Sequence, residues 1–412
     1  MYLTEFEKRL LDGKMGEGAA EAMRIQVALG EAFDAERMVE ISRAHVSFGM
    51  SESDVWFVNL LLQGGGRCRI SPTSNPIYDG NYLKNVDQFE FEEDTSLLRS
   101  AQSAYQSIGI TPTYSCTPQL EANVPRFGEI TAFSESNATA YVNSVCGART
   151  NRESANSALA AAITGRVPLY GLLLGENRKG EILVNVEAYL RDDFDYHLLG
   201  YAAGMKIEFG VPVFTGMPPC PSAEELTSFC AGLNTGGAVA MFHIMGVTPE
   251  APDCETTLHG ESPKKELSIT DEDLRKTRDL FSKKEGKIDF ALIGCPHYTL
   301  KQVREVARLL EGKTLHRDVE LWILTSSLTL ELSRRMGYLE IIRRSGGHLI
   351  ADTCCDMPCW TRRYNGKLGI TDSPKAAYYT VRRGMELVAK RLPDCIKAVL
   401  NGVVEDGGAK DL

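Results

Sequence analysis

Two hydrophobic periods alternate along this chain. Up to about residue 60, apolar side chains recur every three to four positions, as on one face of a helix. Thr4 is placed to cap a helix reaching to about Gly13, and 16–33 carries Ala, Met, Ile and Leu at helical spacing. Ser51-Glu52-Ser53-Asp54 opens a further helix over 51–63. From Arg67 onward, short β-rich runs take turns with helical patterns. The runs predict strands at 68–71, 169–174, 211–215, 238–245, 289–293, 321–325 and 348–352. The patterns between them predict helices at 96–108, 152–164, 225–233, 271–283, 300–310 and 330–344. This alternation predicts an α/β architecture with mainly parallel sheets flanked by helices.

One stretch breaks the rhythm. Residues 248–265 are rich in Pro, Glu, Asp, Gly and Ser and have no apolar period, so they read as a linker or an active-site loop. The predicted organisation is therefore a helical segment over 1–65 packed on a first α/β domain over 66–250. A linker or active-site loop follows over 251–270, then a C-terminal α/β domain over 271–412. A chain of 412 residues has room for two or three cores of that kind.

Composition narrows the class. The longest apolar runs, 171–175 and 238–245, are strand-sized and fall short of the ~20 residues of a membrane span. A net charge of −10 argues against nucleic acid, whose binding rests on an excess of Lys and Arg. The N-terminus has no basic region leading into an apolar run, so a cytoplasmic location is expected. There the eleven cysteines are free thiols, most of them small buried hydrophobes.

The familiar short motifs are missing. Gly64-Gly65-Gly66 precedes a strand rather than linking one to a helix, and no glycine-rich run ends in Gly-Lys-Ser/Thr. There is no His-Glu-x-x-His, Cys-x-x-Cys or Gly-x-Ser-x-Gly. Cys355-x-x-x-Cys359 is by itself a weak metal signal. What remains is a coincidence of position. Cys295, in Gly294-Cys295-Pro296-His297, ends one predicted strand, and Cys354, in Thr353-Cys354-Cys355, ends another. Cys116, in Tyr114-Ser115-Cys116-Thr117-Pro118, closes a β-rich segment. Ligands of open α/β sheets bind beyond the carboxyl ends of strands. Thiolates there suit iron–sulfur clusters or zinc, although three core cysteines that happen to end strands would look the same.

A second constellation runs from Phe133 to Ser144, too polar for a buried helix and too rich in alanine for a plain loop. It leads into Gly147-Ala148-Arg149-Thr150-Asn151-Arg152-Glu153. Guanidinium forks of this kind grip carboxylates or phosphates; a capped helix start with solvated arginines is the plainer alternative.

At these residues the chain resembles the aconitase X family, a branch of the aconitase superfamily. The likeness runs through Tyr114-Ser115-Cys116-Thr117-Pro118, Ser134-Glu135-Ser136, Asn143-Ser144, Gly147 to Glu153, and Phe242-His243. It continues through Gly294-Cys295-Pro296-His297, Asp352-Thr353-Cys354 and Ser373-Pro374-Lys375-Ala376-Ala377-Tyr378. The resemblance implies a multi-domain aconitase-like fold with a cofactor site at a domain interface. It implies a hydro-lyase with an iron–sulfur cluster, [4Fe-4S] or [2Fe-2S], or mononuclear iron, on Cys116, Cys295 and Cys354. Ser134, Glu135, Ser136, His297 and Lys375 take the catalytic places. Asn143, Ser144, Arg149, Thr150, Asn151, Arg152, His243 and Ser373 take those of substrate binding. Family members dehydrate cis-3-hydroxy-L-proline, the substrate expected here, or mevalonate 5-phosphate. A non-catalytic iron–sulfur or metal-binding protein is the reading of a different class.

The family's site also includes a small swivelling domain that supplies a catalytic serine. This sequence ends at Leu412 within what reads as the large part, so the small part is expected as a separate subunit. The chain departs from the family at Asp372, where an asparagine is expected, at 355–359, and over 72–88. These departures bear on the substrate, not on the class of reaction.

Overall fold

The computed structural model describes residues 1–86 and 92–405; the end of the divergent 72–88 stretch and residues 406–412 lie outside them. It is an α/β structure with three parallel sheets flanked by helices. The largest sheet has the strand order His348–Ala351, Glu320–Thr325, Phe290–Tyr298, Leu368–Thr371, Glu386–Ala389. In chain order this is 3-2-1-4-5, so the winding reverses between Phe290–Tyr298 and Leu368–Thr371. A crevice opens at such a reversal, beyond the carboxyl ends of the two strands. The second sheet runs His243–Ile244, Pro212–Thr215, Ile182–Val186, Lys265–Ile269. The third runs Thr73–Ser74, Arg43–Val46, Thr131–Phe133.

The helical periods correspond to real helices with the expected starts. Thr4, Ser51, Ser222, Thr270 and Thr299 each cap a helix in reciprocal hydrogen bonds with the side chain three positions on. The pattern over 330–344 divides into Ser327–Arg335 and Tyr338–Ser345 because Gly337 takes a left-handed conformation between them. Ser136–Ser144, in the segment that read as neither helix nor loop, is a helix buried from Asn137 onward.

Three predicted strands differ. Residues 68–71 form none, because the amides of Arg69 and Ile70 donate instead to the Ala162 carbonyl at the end of a helix. In place of 169–174 the chain makes a short strand, Arg166–Pro168, and a 3-10 turn, Gly171–Leu173. Of 238–245 only His243–Ile244 is a strand. The stretch 251–270 contains a one-turn helix, Cys254–Thr257, and ends in Lys265–Ile269, an edge strand of the second sheet. Its polarity reflects that edge position.

A pair of helices, one of them expected at 225–233 and the other missed in sequence, does much to set the geometry. Asp193–Lys206 and Ala223–Gly237 meet backbone to backbone through Gly200, Gly204, Gly232, Gly236 and Gly237. A Cβ at Gly232 would lie 2.2 Å from the His197 carbonyl oxygen, and one at Gly200 2.3 Å from that of Phe229. The apolar period was muted there because small residues, not large ones, make this contact. A second lock is Arg178, 2% exposed, whose guanidinium pairs with Glu250 and donates to the Asn143 carbonyl at 2.9 Å. Among the described residues no helix is long and apolar enough to cross a membrane.

Replacing Gly232 with alanine is expected to destabilise the chain by about 2–3 kcal/mol through overpacking. The measurement is the urea midpoint; an unchanged midpoint would show that the helices separate freely.

Candidate active site

The three cysteines reach one region from three strand ends. Cys295 lies in the strand Phe290–Tyr298, just past its regular pairing, between Gly294 in a left-handed conformation and a cis bond to Pro296. Cys354 follows His348–Ala351, and its amide donates to the Ile77 carbonyl at 3.2 Å. Cys116 lies beyond the third sheet, where the Ser115 amide donates to the Ser74 carbonyl at 2.9 Å. Backbone amides approach two of the sulfurs: His297 N–H donates to Cys116 Sγ at 3.3 Å, and Asp356 N–H to Cys354 Sγ at 3.4 Å. Cys355, buried behind them, is hydrogen-bonded to Cys295 and holds the Cys295 thiol below its ordinary value against the effect of burial. The nearby Lys375 charge and the Ser373 hydroxyl act in the same direction. Cys355 also bonds to Cys354, and its own thiol is pushed up by these two partners and by burial. Burial likewise pushes up the Cys116 thiol.

Opposite the sulfurs is a buried ion pair. Lys375 Nζ donates to Glu135 Oε1 at 3.3 Å and to Ser136 Oγ at 3.4 Å. Glu135 ends the strand Thr131–Phe133 and precedes the helix Ser136–Ser144, whereas Lys375 is in the first turn of Pro374–Thr380. The Lys375 amide donates to His197 Nε2 at 3.2 Å, so a third element fixes its place. Burial would raise the Glu135 carboxyl, but the Lys375 ammonium and a hydrogen bond from Asn75 outweigh it and hold it at about 2. Burial would lower Lys375, but Glu135, Cys295 and Cys116 outweigh it and hold its ammonium above the usual lysine range. At rest this is a fixed cation facing thiols, with a fully ionised carboxylate behind it.

The other predicted residues divide into two groups. Ser373 caps the helix Pro374–Thr380, and His297 donates from Nε2 to the Thr353 carbonyl at 3.0 Å, so both are at the site. The hydroxyl of Ser134 bonds to the His45 carbonyl and the Ser47 amide, tying strand to strand. Arg152 is exposed, its backbone bridged to Phe133 two positions before Glu135. The remaining residues belong to a scaffold around Arg178. Asn143 bonds to Thr150 and the Ala240 carbonyl, Ser144 to the Phe242 amide, and Asn151 to Tyr170 and Leu172. Arg149 donates to the Leu173 carbonyl, and His243 meets the Arg178 carbonyl. Residues with no place in the site on sequence alone are His197, Asn137, Asn75, His45 and Arg178, and only the burial of a polar type at a strand or helix end could have signalled them; Cys355 stood in sequence only as a weak metal signal with Cys359. Asp372, the departure from the family, lies under the strand ends, where it accepts the Tyr298 hydroxyl and is raised to about 7, chiefly by burial.

The donor set can be tested against a cofactor. Among the described residues no three His, Cys, Asp or Glu side chains are grouped to grip a single metal ion. Three thiols from separate loops are instead the donor type of a larger, sulfur-loving group. Two orphaned atoms fit a site built around a missing group: His297 Nδ1 and Asn137 Oδ1 are buried without a hydrogen-bond partner among the described residues. Such atoms cost free energy unless something meets them.

Comparison with known proteins bears on the same residues. The models for the first, second and third domains of aconitase X match residues 1–176, 180–279 and 288–401. The chain belongs to the aconitase X family. The phosphomevalonate dehydratase large subunit of Thermococcus kodakarensis is 36% identical over 92% of this chain and 95% of its own length. That of Methanothermobacter thermautotrophicus is 38% identical over 92% and 94%. The cis-3-hydroxy-L-proline dehydratase of Pseudomonas aeruginosa is 33% identical over 97% of this chain and 70% of its own length. The crystal structure of Thermococcus kodakaraensis aconitase X in its holo form superposes with a TM-score of 0.87 at 34% identity, covering 97% of this chain and 100% of the other. This aconitase X chain is accordingly a dehydratase, a carbon–oxygen lyase.

The ion pair gives the aconitase X site a measurable signature. With the carboxyl at about 2 in the folded state against an ordinary 4.5, its stabilisation is present above the ordinary value and lost as pH falls between the two. Urea unfolding through that window is expected to show a steeper loss for the wild type than for Glu135→Gln. Parallel curves would mean that the pair does not form.

Proposed function

We propose that this chain is the large subunit of a two-subunit dehydratase that removes water from a small 3-hydroxy carboxylate, with mevalonate 5-phosphate as substrate. The observation that carries the reaction class is the buried Lys375–Glu135 ion pair set against three cysteines, of which Cys295 stands at the sheet's reversal. Two phosphomevalonate dehydratase large subunits, at 36% and 38%, stand above two hydroxyproline dehydratases, at 33% and 29%, while three further large subunits, at 34%, 33% and 31%, overlap them; the two highest identities support this substrate over the hydroxyproline expected from sequence.

Cys116, Cys295 and Cys354 would hold an iron–sulfur cluster, their thiolates offset by Lys375 and by the amides of His297 and Asp356. When bound, such a cluster supplies a Lewis acid for the departing hydroxyl. Everything else falls to side chains. Dehydration removes a proton from the carbon next to the carboxylate and hydroxide from the following carbon, leaving a double bond and water. Negative charge therefore grows on the substrate carboxylate, and Lys375 is the cation placed to meet it. Arg152, exposed beside the same strand end, would take the second anionic group, the phosphate. Glu135 at about 2 is too weak a base to take the proton, and Lys375 is already protonated. The acceptor is thus assigned to the small partner, where the family likeness puts a serine. His297 and Ser373 would orient groups around the sulfurs.

The test is anaerobic reconstitution of the chain with iron and sulfide, then assay with and without a small swivelling-domain partner. Turnover of mevalonate 5-phosphate only in the complex is expected, with cis-3-hydroxy-L-proline inert. Turnover by the isolated chain would remove the partner from the reading, and turnover of hydroxyproline alone would change the substrate. Cys295→Ala is expected to lose bound iron, visible absorbance and more than about 99% of activity; retained colour would place the ligands elsewhere.

A further inference from the structure

Behind the Glu135 carboxylate a chain of buried hydrogen bonds crosses the third sheet, and its direction can be assigned throughout. Asn75 Nδ2 donates to Glu135 Oε2 at 2.7 Å, which leaves Asn75 Oδ1 facing His45 Nε2 at 2.8 Å. The opposite amide orientation would set an oxygen against the carboxylate. Since Asn75 Oδ1 can only accept, His45 carries its hydrogen on Nε2. His45 Nδ1 is then an acceptor, and Thr73 Oγ1, 2.8 Å away, donates to it. Thr73 Oγ1 in turn accepts from Asn123 Nδ2 at 2.9 Å, and Asn123 is anchored on the Ala44 carbonyl at 2.8 Å. Every donor points the same way, toward Glu135. His45 is fully buried, and Thr73 and Asn123 are nearly so.

Any neutral imidazole bonded at both nitrogens donates on one side and accepts on the other; what a merely structural histidine does not need is a row that runs on through a second side chain to a carboxylate. Hydrogen bonds aligned head to tail strengthen one another, and this row ends on a carboxylate in a site where unaided burial would protonate it. From this we propose that His45 and Asn75 are positioning residues. They hold Glu135 ionised and aimed, and so keep Lys375 charged and in place against the substrate carboxylate. The inference rests on the reading of Lys375 given above. His45 and Thr73 lie in the third sheet, on Arg43–Val46 and Thr73–Ser74, with Asn75 directly after the latter, and their side chains hydrogen-bond to one another and to Glu135, not to the three cysteines. The low value of Glu135 and the lowering of His45 to about 4, chiefly by burial, agree with a neutral ring that donates to an ionised acid. The charged and titratable groups facing Glu135 are Lys375 from Pro374–Thr380, His45 from the third sheet, His297 and Cys295 from the end of Phe290–Tyr298, and Cys116.

The experiment has two arms. In the full chain without partner or substrate, the Glu135 carboxyl is followed by carbon-13 NMR of labelled glutamate, with Glu135→Gln identifying the signal. Asn75→Leu and His45→Leu are each expected to raise its midpoint by about 1–2 pH units. His45→Gln, whose amide can donate to Asn75 and accept from Thr73, restores most of the wild-type value. Imidazole nitrogen-15 spectra of the wild type are expected to show the Nε2–H form of His45. In the reconstituted two-subunit enzyme, Asn75→Leu lowers kcat about tenfold with KM within about threefold, and the acid limb of its pH profile moves upward with the midpoint. Thr73→Val, which removes one hydroxyl and keeps the shape, gives the same direction of shift should the leucine variants fail to fold. A midpoint unmoved in every folded variant, or an Nδ1–H form of His45, overturns the relay. A wild-type complex that turns over neither hydroxy acid overturns the reading of Lys375, while the NMR arm still decides the relay.

Discussion

A lysine and a glutamate, 240 residues apart in sequence, are buried against each other, and the site is organised around that pair. Neither charge would survive burial alone: each would shift its equilibrium and neutralise. Together they form only if the turn after Leu368–Thr371 and the end of Thr131–Phe133 arrive at the same place. The Lys375 amide adds a third condition by donating to His197 on the helix Asp193–Lys206. The regions matched by all three family domains therefore meet at one residue. The thiols of Cys116 and Cys295 feel the same ammonium, so their chemistry follows from the same constraint.

The scaffold around the pair is stiff for reasons that have little to do with large hydrophobic side chains. Five glycines bring two helices into backbone contact, and Gly232 packs directly on the backbone of His197. Arg178, sealed by Glu250 and Asn143, joins the segment after the first domain to the start of the long polar stretch. Close approach and satisfied buried charge both tolerate little movement. A site that must keep sulfurs, cation and carboxylate in fixed relation gains from such surroundings.

Much of this was legible from one sequence. The cysteines stood at strand ends, the helix caps were written in Ser and Thr with acidic or amide partners three positions on, and the α/β alternation was plain. The roles of Asn143, Thr150, Asn151 and His243 were not. Their types fit substrate binding, and here Asn143, Thr150 and Asn151 bond to backbone groups, and His243 Nε2 to the Arg178 carbonyl, contacts that no spacing rule could name. Arg178 and Glu250, 72 positions apart, were invisible as a pair for the same reason. The helix Asp193–Lys206 escaped because its contact face is built from glycine and alanine, which leave almost no hydrophobic period.

By itself, then, the sequence determined the class of the fold, the family likeness and the thiols available for a cofactor. These are properties of local pattern and residue type. Only the tertiary structure decided that Cys355 meets Cys295, that Lys375 stays charged, and that His45 and Asn75 point in line at Glu135. Each of these depends on burial and on the direction of a hydrogen bond, and both exist only once distant strands have been brought together.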